Sequence, residues 1–138
     1  MFDHCLYFNT TALARRLERE WTDAFATFDL SPSQAFMLRA VLAKPGMLQR
    51  ELADVLSIAR PTATRALDFL QTKELIIRSG RHGDGRETCI YPTEKAIAIQ
   101  AALNAAGAAV TRRLKTILGS AEFVEAVGCI AQVRAVLD

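Results

Sequence analysis

The chain has little of what most enzyme and metal chemistry needs. Its three cysteines, Cys5, Cys89 and Cys129, are odd in number and far apart, so they form no disulfide framework. Two histidines and three cysteines without ligand spacing make a metal site improbable, and no cofactor is implied. No nucleophile, base and orienting group fall into a grouping that supports catalysis, so an enzyme is not expected. Gly80, Gly83 and Gly85 are not followed by Lys-Ser/Thr and open no helix, so they read as a turn rather than a phosphate cradle. No apolar run reaches the ~18 residues of a spanning helix, and no secretory signal is seen. The expectation is free thiols in a reducing cytoplasm, with no membrane partner. Internal repeats, low-complexity tracts and linkers are missing as well.

What is present is a chain of 138 residues, enough for one domain with a core and too short for two ordinary ones. Hydrophobic residues make up 51% and charged ones 23%, a globular balance. The apolar share is high for this size, which suits an oligomer that buries extra surface. The net charge is only +2, but it is unevenly spread. From Arg60 to Arg86 six basic residues face three acidic ones, whereas the chain before Ser31 has an acidic excess. Phosphate attraction requires such a concentrated positive segment.

Hydrophobic spacing predicts a first amphipathic helix from about Leu6 to Phe28, carrying Leu13, Leu17, Trp21 and Phe25. Ser31-Pro32-Ser33-Gln34 is a capping box with proline at the first helical position, and the helix it starts should stop before Pro45-Gly46. A third helix from about Gln49 to Leu56 and a fourth from about Arg60 to Thr72 flank the break Ser57-Ile58-Ala59. Pro61 is tolerable only in a first turn, which fixes the start of the fourth helix. Strands at about Leu75 to Ser79 and Glu87 to Tyr91 bracket a turn from Gly80 to Gly85. Thr93 caps a long helix whose Ile99, Leu103, Ala106, Val110, Leu114 and Ile117 form a seam. Ser120 is expected to cap a last helix with Phe123, Val127, Ile130 and Leu137 on one face.

Two short helices, a hairpin and a following helix make a winged helix-turn-helix. Arg60, Thr62, Thr64, Arg65 and Asp68 stand on the outer face of the candidate recognition helix, where the arginines and threonines can donate to phosphates or base edges. Arg81, His82 and Arg86 tip the wing.

The run Arg60-Pro61-Thr62-Ala63-Thr64-Arg65, with Asp84-Gly85-Arg86 followed by Thr93-Glu94-Lys95, resembles the MarR (multiple antibiotic resistance regulator) family of bacterial winged-helix transcription factors. The resemblance covers essentially the whole chain. It implies a mainly α fold with a small β-wing, in one unit over 1–138. Residues 30–95 would form the winged DNA-binding lobe, and 1–29 with 96–138 a helical dimerisation part. It further implies a homodimer on double-stranded DNA in the bacterial cytoplasm, associated with the nucleoid. The regulator, a repressor by expectation, would bind a pseudo-palindromic operator and be released by a small-molecule or oxidant signal. The DNA-binding residues implied are Arg60, Pro61, Thr62, Thr64, Arg65, Arg81, Asp84 and Arg86. Asp84 would orient Arg86 or a neighbouring basic residue, and Arg86 would reach the minor groove. Leu48 and Ala59 stand where family members often carry a serine or threonine cap.

Cys5 to Leu13 also resembles the peroxide-sensing members of that family, the organic hydroperoxide resistance regulators, which carry a reactive cysteine at the start of the first helix. Cys5 is therefore a candidate redox residue. The tyrosines those sensors use are lacking between Leu30 and Phe36. Cys89 and Cys129 read as packing residues. Trp21, Phe25, Phe28 and Phe36 read as core, or as the wall of a family pocket for a small aromatic ligand. The rival readings are a winged helix that binds protein rather than DNA, and an enzyme using the interhelical pocket.

Overall fold

The computed structural model describes residues 1–81 and 84–138, and leaves the side chains of 81–86 outside that description. Helix α1 (Leu6–Phe25) passes through a 3₁₀ turn (Ala26–Phe28) and a left-handed residue, Asp29, with φ 56°, into α2 (Pro32–Ala43). The first helix is thus shorter than its periodicity predicts. The capping box at Ser31 is present: the Gln34 N–H donates to Ser31 Oγ at 3.3 Å, and the Ser31 N–H donates to Gln34 Oε1 at 2.9 Å.

Gly46 turns the chain at φ 89°, and its N–H donates to the Ile90 carbonyl at 2.8 Å. Strand β1 (Met47–Leu48) follows, then α3 (Gln49–Leu56), α4 (Arg60–Thr72), β2 (Ile76–Arg81) and β3 (Asp84–Pro92). The three strands form an antiparallel sheet in the order β1-β3-β2, with Met47 opposite Ile90 and Ile77 opposite Tyr91. Both hairpin strands run further than their hydrophobic pattern predicts, and Arg81 pairs with Asp84 across an irregularity at Gly80 and Arg81. His82 and Gly83, expected in the turn, lie outside the described residues.

The core is concentrated between α2, α3, α4 and the sheet. Met37, Leu38, Leu52, Leu67, Leu70, Ile76 and Ile90 are fully buried there. This fixes the orientation of α4, because Ala63, Ala66, Leu67 and Leu70 face inward, which leaves Arg60, Pro61, Arg65 and Asp68 exposed.

Helix α5 (Glu94–Leu118) begins at Thr93, whose Oγ accepts from the Ala96 N–H at 3.3 Å. Within the expected seam Leu103 and Val110 are buried, whereas Ile117 is exposed. Helix α6 (Ser120–Leu137) turns away from α5 at 111°. Its N-cap is Gly119 rather than the expected Ser120, which is the first helical residue. No residue of α6 is buried, so Cys129 is exposed rather than packed. Phe36 is also more exposed than a core residue, at 39%. Among the described residues no single helix is long and apolar enough to cross a membrane.

Candidate nucleic-acid interface

Helix α4 starts at Arg60 because Pro61, lacking an N–H, is accommodated only in a first turn. From that start Arg60, Pro61 and Arg65 are exposed, and Thr62 and Thr64 are half-buried on the same outer side. The side chains are linked to one another. Arg65 Nη2 donates to Thr62 Oγ1 at 3.3 Å, and Thr64 Oγ1 donates to the Arg60 carbonyl at 3.0 Å. Thr64 thus uses its one hydroxyl hydrogen within its own helix.

Two residues not singled out from the sequence adjoin this face. Gln49, the first residue of α3, donates from Nε2 to Thr64 Oγ1 at 2.7 Å. Arg50 beside it pairs with Glu87 of β3 at 3.1 Å. The signal for both was their place in the first turn of the helix before the recognition helix. Neither Leu48 nor Ala59 caps its helix with a side chain, but Glu51 Oε2 accepts the Leu48 N–H at 2.9 Å and replaces half of a box at α3.

The basic segment is less positive than its count. Arg78 of β2 donates to Asp68 Oδ1 at 2.8 Å and to Gln71 Oε1 at 2.7 Å, bracing the sheet against α4. Its Nε is buried without a hydrogen-bond partner among the described residues. Lys73 is paired with Asp29, and that hydrogen bond, together with the ammonium charge, holds the Asp29 carboxyl below its ordinary range. The positive groups left on this side are Arg60 and Arg65, which have no ion-pair partner among the described residues, together with those of the wing. The Arg81, Asp84 and Arg86 backbones lie in the hairpin; their side chains are outside the description.

Above this lobe Trp21 and Phe36 form a wall between two clefts. One, of about 480 Å³, lies toward the Leu56–Ile58 turn and is lined also by Leu17 and Pro32. The other, of about 560 Å³, opens toward α5 and brings Arg39, Arg112 and Lys115 together. Arg39 stacks its guanidinium 5.0 Å from the Phe36 ring centre and donates from Nε to Asn104 Oδ1 at 2.9 Å. Gly107 makes room for it, since a Cβ there would lie 2.9 Å from Arg39 Nη1. Of the four aromatics only Phe25 is fully buried, while Trp21 and Phe28 are half-buried.

Cys5 is exposed at the N-cap of α1, where its carbonyl accepts from Asn9 Nδ2 at 2.9 Å. No group of three or more potential metal ligands occurs among the described residues.

Residues 28–87 match the model of the MarR family. A curated relative described as an uncharacterised HTH-type transcriptional regulator, YybA of Bacillus subtilis, is 29% identical over 83 residues. That match spans 60% of this chain and 55% of the relative. The transcriptional repressor CouR bound to a 23-mer DNA duplex is similar in structure at TM-score 0.89 and 25% identity, over 96% of this chain and 94% of that one. CouR bound to p-coumaroyl-CoA is similar at TM-score 0.86 and 24% identity, with the same coverage.

Proposed function

We propose that the chain, whose residues 28–87 match the MarR family model, is a regulator of that family that represses transcription as a homodimer on a pseudo-palindromic operator and leaves on binding a small aromatic ligand. The observation that carries this reading is the outer face of α4, where Arg60 and Arg65, without an ion-pair partner among the described residues, stand beside Thr62 over a packed inner face. A helix with that division inserts into the major groove and places donors on base edges and phosphates. Arg60, Pro61, Thr62, Thr64 and Arg65 form the base-reading side. Arg81, Asp84 and Arg86 serve the wing, with Arg86 in the minor groove.

The dimer reading is supported by α6, which has no buried residue in one protomer although Val124, Val127, Ile130, Val133, Val136 and Leu137 are all exposed. Surface of that kind calls for a second copy. Paired lobes then meet two half-sites one helical turn, ~34 Å, apart. The ligand reading is supported by the clefts either side of Trp21 and Phe36, whose size suits a small molecule. It is supported too by the ligand-bound form of the similar CouR. The oxidant alternative rests on Cys5, exposed at a helix N-cap.

Selection of genomic fragments by the purified protein tests the central claim. A two-fold symmetric site is expected, released by an arylcarboxylate or its thioester, and peroxide release that Cys5→Ser abolishes would move the signal to the thiol. No enrichment at low salt would leave a protein-binding winged helix.

A further inference from the structure

A notch of about 380 Å³ lies between the first turns of α3 and α4 and the strand β3. Its floor is apolar, made by Leu48, Ala53 and Ala63, and its rim is polar, made by Gln49, Arg50, Arg60, Glu87 and Thr88. Two guanidiniums against one carboxylate leave the rim positive. Glu87 holds Arg50 at 3.1 Å on one side, and Arg60 stands on the other with no ion-pair partner among the described residues.

The side-chain amide of Gln49 has two N–H groups and a carbonyl. One N–H is fixed on Thr64 Oγ1 at 2.7 Å; the other has no partner among the described residues. Thr64 in turn donates to the Arg60 carbonyl at 3.0 Å, so a chain of hydrogen bonds runs from the notch into the first turn of α4.

We infer that this notch seats one phosphate of the DNA backbone, and that Gln49 is the residue that couples the phosphate to the recognition helix. The inference rests on the DNA-binding reading above and adds a site to it. A phosphate oxygen accepts the second Gln49 N–H, while the guanidiniums of Arg60 and Arg50 flank it. The first helix of such a motif crosses the sugar-phosphate backbone, which is where Gln49 sits. With the amide held by Thr64, a phosphate seated in the notch sets the register of α4 in the groove. Phosphate contacts fix register and carry no sequence information themselves.

The test uses the full-length protein, a duplex that the wild type recovers from a random-sequence pool, and a shuffled duplex of equal length. Gln49→Ala should weaken binding to both about tenfold, the scale of a hydrogen bond to a charged group, and leave the ratio of the two affinities unchanged. Gln49→Glu should weaken both further, because a carboxylate then faces the phosphate. Arg60→Ala should lower the slope of log affinity against log salt by about one. A scan of single methylphosphonates should find one phosphate per half-site whose neutralisation costs the wild type about tenfold and Gln49→Ala little. The wild-type scan alone stands even if a variant folds poorly: no such phosphate in the wild type would overturn the inference. Unchanged affinity of Gln49→Ala for both duplexes would overturn the inference. A loss confined to the recovered duplex would overturn it too, by making Gln49 a reader of bases. Recovery of no duplex by the wild type would instead sink the DNA-binding reading on which the inference rests.

Discussion

Arginine at 65 and arginine at 78 are the same residue with different work, and the difference is a partner. Arg65 donates to Thr62 at 3.3 Å and has no ion-pair partner among the described residues; Arg78 is held by Asp68 and Gln71. Arg65→Ala should therefore weaken operator binding by about 1–3 kcal/mol, on the scale of a lost base or phosphate contact, with little change in Tm. Arg78→Ala should do the reverse, since the half-buried guanidinium braces β2 on α4; a loss of about 1–2 kcal/mol in thermal or urea unfolding is expected. These charges can be counted in a sequence, but their pairing cannot. Arg78 meets Asp68 ten residues away, and Lys73 meets Asp29 across 44. Asp29 has a pH signature. Its folded pKa lies below the ordinary 3.8, so its contribution is complete above 3.8 and is lost as pH falls through the lowered value. Asp29→Asn keeps a residue type that tolerates φ 56° and should flatten the acid limb of a Tm-against-pH curve. An unaltered limb would mean that the Lys73 pair adds nothing.

At the scale of elements, helix starts were legible because proline and the Ser31 box act through chemistry local to the chain. Helix ends were less so. Helices α3 and α4 finish with left-handed residues that are not glycine, Ser57 at φ 53° and Glu74 at φ 59°. Nothing in those residue types announces such a conformation. Glu74 contributes a carbonyl to Thr93 Oγ1 at 2.7 Å, which glycine would retain. Glu74→Gly should thus stabilise by about 0.5–1 kcal/mol, read as a Tm higher by a few degrees. Gly107 stands among alanines in the sequence, and what lies against it is the Arg39 guanidinium. Gly107→Ala should gain up to about 1 kcal/mol of helix propensity, because the group displaced is the end of a flexible side chain. The same displacement should weaken arylcarboxylate binding in calorimetry. A variant that is more stable and binds as well as the wild type would remove Arg39 from the ligand site.

On the scale of the whole molecule, the unburied helix decides the argument. An isolated protomer would leave α6 in water with Val127 at 52% and Ile130 at 42% exposure. Light scattering should give a dimer, and Ile130→Glu should shift it towards monomer. The sequence made α6 legible as amphipathic, but the apolar residues lie around much of its surface, and only three-dimensional placement reveals that one protomer buries none of them fully. Arg134 of α6 donates from Nη2 to Ser57 Oγ at 2.7 Å, so the outermost helix touches the turn between α3 and α4. A monomer loses the gain of two tethered half-sites, so Ile130→Glu should bind a single half-site nearly as the wild type does and the full operator far more weakly. Release by ligand has a thermodynamic counterpart that needs no structural assumption. If a ligand weakens operator binding by some factor, operator DNA must weaken ligand binding by the same factor. Titrating ligand into free and operator-bound dimer measures the second factor independently. A ligand affinity weakened by operator DNA would couple the ligand site to the control of DNA binding, whereas ligand affinity indifferent to DNA would separate the two.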